Sequence, residues 1–125
     1  MTQFSIGQAI NGLRFDSSVF IEMNLSKGQD VNDFTRVDKV ITIKKGTTLC
    51  ITSANAFYAP KRQEPEEDLL SIWINNQIIY YFKSKFVGEI WLPEGEYRIR
   101  LVSRIKSKGV YYMGYISGIL YKIEN

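Results

Sequence analysis

Apolar residues return at every second position along most of this chain, from Val19 to Ile123, and that period favours strands over helices as the building element. Val19, Ile21, Met23 and Leu25 alternate with Phe20, Glu22 and Asn24, the pattern of a half-buried strand. The polar segment Ser26 to Asp33 contains Gly28 and reads as a loop. Two β-branched runs follow, Val40 to Ile43 and Thr48 to Thr52. Lys44 to Thr47 separates them as a tight connection, with Gly46 free to take a positive φ.

Ser53 to about Asp68 is the one long irregular stretch, with two of the three prolines and an acidic cluster of Glu64, Glu66, Glu67 and Asp68. Pro65 in a first turn with acids at the positive dipole end suits the start of a short helix. So long a loop in a compact domain is often functional. Strands then resume. Leu70, Ile72 and Ile74 alternate with Ser71 and Trp73, Asn75 and Asn76 make a two-residue turn, and Ile78 to Phe82 returns. Glu89 to Leu92 and Tyr97 to Val102 read as a further pair around Pro93 to Glu96. In its second member Tyr97, Ile99 and Leu101 face the core and Arg98 and Arg100 face outward. Lys106 to Gly109 is a turn, and Val110 to Tyr115 and Ile119 to Ile123 close the chain. The expectation is one domain over residues 1–125, an all-β antiparallel sandwich or jelly roll of about eight or nine strands.

The missing residue types narrow the chemistry. No histidine is present, which removes the usual general base, the commonest metal ligand and the ordinary pH switch together. Cys50 is the sole cysteine, so no disulfide can close within the chain. Its apolar, alternating surroundings suit a buried, inert thiol. Neither a nucleophile elbow nor a Gly-rich phosphate loop occurs, and the acids match no calcium-loop spacing. A glycosidase needs only two carboxylates, which Glu64 to Asp68 with Glu89 or Glu94 could supply, but acid–proline runs in loops are more often solvated. The expectation is a protein that is not an enzyme and uses no cofactor or metal.

Net charge is only +3, too little by itself to require a nucleic-acid partner. Arg98, Arg100, Arg104, Lys106 and Lys108 do fall close to Tyr111 and Tyr112, a mixture that can grip single strands; the favoured reading is the polar outer face of a sandwich capped by a lysine turn, because acids elsewhere nearly balance the charge. No apolar stretch is long enough for a membrane helix. Residues 1–10 lack the charged and apolar regions of a signal peptide, so the expected location is the cytoplasm, or outside by a route that needs no such signal. Aromatics reach 14%, with eight Tyr and seven Phe. Of two adjacent aromatics in a strand, one should enter the core while its neighbour stays available for a sugar ring or a protein surface.

Two segments carry a likeness to a known family. Gly46 to Pro60, a Gly-led strand running into Tyr58-Ala-Pro60, resembles the early segment of the bacterial galactophilic lectins of the PA-I type. Gly114 to Ile123, with Gly114-Tyr-Ile-Ser-Gly118, resembles their closing strand, and Gly88 to Leu101 is similar in pattern to sugar-binding sandwiches. The resemblance implies a β-sandwich scaffold that binds sugar. It also implies where the family's calcium ligands would fall. The Asn pair falls at Tyr115 and Ile116, the stretch Ser103 to Gly109 contains no acid, and Tyr58 alone carries over, so that calcium site is not expected.

The resulting expectation is a non-catalytic, lectin-like recognition module for carbohydrate. Asn55 and Tyr58 on the long loop would contact ligand, with Tyr111, Tyr112 and Tyr115 near the last turn. Asn supplies hydrogen bonds while a tyrosine ring stacks. The competing expectation is a structural or protein-interaction subunit of a secreted or virion assembly, and a single-stranded nucleic-acid binder ranks third. A homo-oligomer is among the expected states.

Overall fold

The computed structural model describes residues 12–25, 35–59, 70–83, 85–103 and 111–124. Their elements are eight strands: β1 (Leu13–Leu25), β2 (Thr35–Ile43), β3 (Thr47–Ala59), β4 (Leu70–Ile74), β5 (Gln77–Phe82), β6 (Lys85–Leu92), β7 (Gly95–Ser103) and β8 (Tyr111–Ile123). Two antiparallel sheets of four strands face each other, ordered β1-β8-β3-β6 and β2-β7-β4-β5. This interleaving of two four-stranded sheets is the jelly roll. The two are named here the β1 sheet and the β2 sheet. They join along one side, where Asn24 and Leu25 of β1 pair with Asp38 and Val37 of β2. On the opposite side β5 and β6 are terminal strands.

Alternation explains the packing. Met23, Leu49, Ile51, Ile90, Leu92 and Ile116 of the β1 sheet meet Val37, Leu70, Ile72, Ile99 and Leu101 of the β2 sheet in one buried cluster. Fully burying an aliphatic side chain of this size stabilises by roughly 1.5–3 kcal/mol, so these inward rows hold the two layers together. In β7, Ile99 and Leu101 are buried, Tyr97 is half-buried, Arg98 is exposed and Arg100 half-buried, in the alternation expected.

Connections depart from the expected pairing. Lys44 to Gly46 does form a tight turn, with Gly46 at φ 81° and Thr47 N–H donating to the Lys44 carbonyl at 3.1 Å. Yet β2 pairs with β1 and β7, whereas β3 pairs with β6 and β8, so this turn carries the chain from one sheet to the other. Pro93 and Glu94 do likewise. β6 lies on β3 and β7 on β2 and β4, so Glu89 to Leu92 and Tyr97 to Val102 are not partners. A short connector suits a corner between sheets as well as a hairpin, and only the sandwich as a whole decides between them. The Asn75-Asn76 turn is a hairpin. Both residues have positive φ, 49° and 67°, and Ile74 faces Gln77 across a turn of the I′ kind.

Three further expectations change. Ser53 to Ala59 continues β3, so the irregular stretch starts later than its polar residues imply. A residue irregularity between Ile51 and Ser53 resets the alternation there and masks the strand from a reading by period. The last two expected strands are one, β8, because Gly118 sits within it rather than ending it. A Cβ at Gly118 would run into the Cys50 carbonyl oxygen, so that close approach requires glycine. Finally, Tyr80 and Tyr81 are both exposed, at 45% and 53%, since β5 is a sheet edge and not a buried ladder. The expected loop at Ser26 to Asp33, the helix start near Pro65, the turn Lys106 to Gly109 and the acids Glu64 to Asp68 lie outside the described residues.

Candidate functional site on the outer face of the β1 sheet

The β3–β8 register gathers the expected site residues at one end of the β1 sheet. Asn55 faces Tyr115, Tyr58 faces Tyr112, and Ala59 faces Tyr111. Asn55 and Tyr58 are therefore strand residues, positioned by a ladder and not by a loop as expected. Tyr111, Tyr112 and Tyr115 likewise belong to β8. Asn55 and Tyr115 come together directly. For Tyr58, Tyr111 and Tyr112 the pairing of their backbones is what the structure establishes.

Side-chain size is inverted at this end. The inward positions are Ala54, Ala56 and Gly114, and a Cβ on Gly114 would press the Val37 side chain at 2.9 Å. The outward positions carry the bulk. One row across the sheet reads Glu22, Tyr115, Asn55, Lys85 and the next Phe20, Ser117, Ser53, Val87. Phe20 is 62% exposed and its ring stacks on that of Tyr115, with centroids 5.1 Å apart and planes 30° apart. Offset rings of this kind present a broad apolar face to solvent.

Polar groups border that face. Asn55 Nδ2 donates to Tyr115 Oη over a long 3.5 Å, while Asn55 Oδ1 is buried with no partner. Turning the amide over leaves its nitrogen unmatched instead, so one buried polar atom of Asn55 is unpaired in either orientation. Ser53 Oγ and Ser117 Oγ share a 2.5 Å hydrogen bond one row away. Glu22 and Lys85, both exposed, close the Asn55 row with opposite charges. The face therefore offers aromatic surface, hydroxyls, an amide and no net charge.

Phe20 was not anticipated. Its signal is in the sequence nonetheless: it is an aromatic on the solvent register of an alternating strand, where Glu22 and Asn24 are polar. Further along the sheet Trp91 is buried against Tyr121 at 5.5 Å, and Trp91 Nε1 donates to Glu89 Oε2 at 3.4 Å. Beneath them Cys50 is 3% exposed, and burial together with the nearby Glu89 charge pushes its thiol up to about 11. Of the basic cluster read from the sequence, Arg98 and Arg100 lie on β7 in the other sheet, and Arg98 pairs with Asp38 at 3.5 Å. Arg104, Lys106 and Lys108 lie outside the described residues. Among those residues no three of His, Cys, Asp and Glu gather as a metal site, and no helix is long and apolar enough to cross a membrane.

Set beside known proteins, the chain matches no family model and no curated protein. What fold and face define is a jelly-roll β-sandwich with an aromatic, polar-bordered outer surface on one sheet.

Proposed function

We propose that this protein is a non-catalytic recognition module whose outer β1-sheet face binds a neutral carbohydrate. Jelly rolls carry lectins and capsid subunits alike, so the fold alone decides nothing and the reading rests on the face. The observation that carries it is the stacked, solvent-facing Phe20–Tyr115 pair, bordered by the half-buried Asn55 amide and the Ser53 and Ser117 hydroxyls. An apolar sugar face packs on such rings while its hydroxyls, each donor and acceptor, satisfy an amide and serine hydroxyls. Balanced charge from Glu22 and Lys85 suits a neutral ligand better than a polyphosphate. The galactophilic resemblance agrees with a sugar ligand and differs in mechanism, since this binding uses no calcium.

A glycan array read with and without chelator tests this. Binding should be unchanged by chelator, and Phe20→Ala and Asn55→Ala should each weaken it by about tenfold or more, a loss of roughly 1.4 kcal/mol. Silence on every glycan would remove the carbohydrate reading. A protein-binding face is the second reading, favoured by the exposed Val87 (75%) and Met113 (39%) around the aromatic pair.

A further inference from the structure

We infer that the free edge of β5 pairs with β5 of a second copy of this chain, antiparallel about a two-fold axis. Among the described residues β5 has β4 as its one strand neighbour, and a terminal strand leaves a row of N–H and C=O groups open on its other side. Gln77 to Phe82 contains no charge, proline or glycine, and Ile78, Ile79, Tyr80 and Tyr81 are 42%, 37%, 45% and 53% exposed. The other terminal strand differs. Each terminal strand has one break in register with its inner neighbour, but β6 also carries Lys85 and Glu89, charges that blunt an edge. One edge is guarded and one is left apolar.

Two features select a second copy as the occupant. The strand is complementary to itself: at its irregularity opposite Ile72 and Trp73, Ile79 and Tyr80 both line the groove behind it, so antiparallel pairing centred between them sets Ile79 against Tyr80 and Ile78 against Tyr81 on matching faces. Aromatic and β-branched residues are favourable cross-strand partners. The charges fit as well. Glu89 shares a groove of about 220 Å³ with Gln77 and Ile79, beside the start of β5, whereas Lys83 follows its end and Lys85 opens β6. Neither lysine has an ion-pair partner among the described residues. A two-fold axis brings the start of one β5 to the end of the other, so each Glu89 approaches the opposite lysines. That symmetry uses up the open edge on both copies and stops at a dimer.

Sedimentation over a range of concentrations tests the inference. The expected result is a discrete dimer, with Tyr81→Lys raising its dissociation constant about tenfold or more at unchanged circular dichroism. Glu89→Lys should also weaken it, and combining Glu89→Lys with Lys83→Glu and Lys85→Glu should restore it. A strict monomer at about 1 mM, a dimer indifferent to Tyr81→Lys, an open series of larger species, or no restoration by the charge exchange would each overturn it.

Discussion

Cys50 and Gly118 meet across the β3–β8 ladder, and each makes a prediction of its own. The Cys50 thiol has an ordinary value of 9.0 and is held up at about 11 by burial first, then by Glu89. A group raised on folding contributes fully below its unfolded value and loses that contribution as pH climbs through the folded one. Denaturation midpoints should therefore fall between about pH 9 and 11, with about 2–3 kcal/mol lost through Cys50, and Cys50→Ala should flatten that part of the profile. At neutral pH the native thiol should resist alkylating reagents that modify the unfolded chain readily. Gly118→Ala places a methyl on the Cys50 carbonyl oxygen, which belongs to the backbone and cannot turn aside. Urea titration should show a cost of roughly 2–4 kcal/mol.

Among the elements, the β4–β5 hairpin separates two residues that look alike in sequence. Asn75 and Asn76 both hold positive φ, but Asn75 also ties the turn to β7: its N–H donates to the Arg98 carbonyl and its Oδ1 accepts from the Arg98 N–H, each at 2.9 Å. Asn76→Gly should be neutral or stabilising by up to about 1 kcal/mol, because glycine takes this conformation freely. Asn75→Gly keeps the conformation and the backbone bond but loses the side-chain bond to Arg98 N–H, and should cost about 1 kcal/mol in equilibrium unfolding. Such local chemistry is what a sequence displays best. The alternation of β7 and the asparagine turn were both legible because each is decided within a few residues. The partners of β6 and β7 were not, since Pro93 and Glu94 would serve a hairpin or a corner equally well. The same limit applied to the site. Asn55 and Tyr115 could be named from residue type, but their adjacency depends on a register between strands sixty positions apart in number. The irregularity at Ile51 to Ser53 hid the strand that sets this register.

Across the whole molecule, the jelly-roll path places the start of β1 and the end of β8 side by side, with Leu13 paired to Ile123 and Glu124 N–H donating to the Gly12 carbonyl at 2.8 Å. The corner turns at Lys44 to Gly46 and Pro93 to Glu94 and the Asn75-Asn76 hairpin share that end, while the Asn55–Tyr115 face lies toward the other. Tension applied through Leu13 and Ile123 would thus act across the β1–β8 ladder and load its hydrogen bonds one after another, as a zipper opens. Handles at Leu13 and Tyr111 would instead pull along the two strands and load those bonds together. Single-molecule stretching should find a much smaller rupture force for the first geometry than for the second. The sandwich would then be mechanically soft along the direction that separates Leu13 from Ile123 and stiff along its strands.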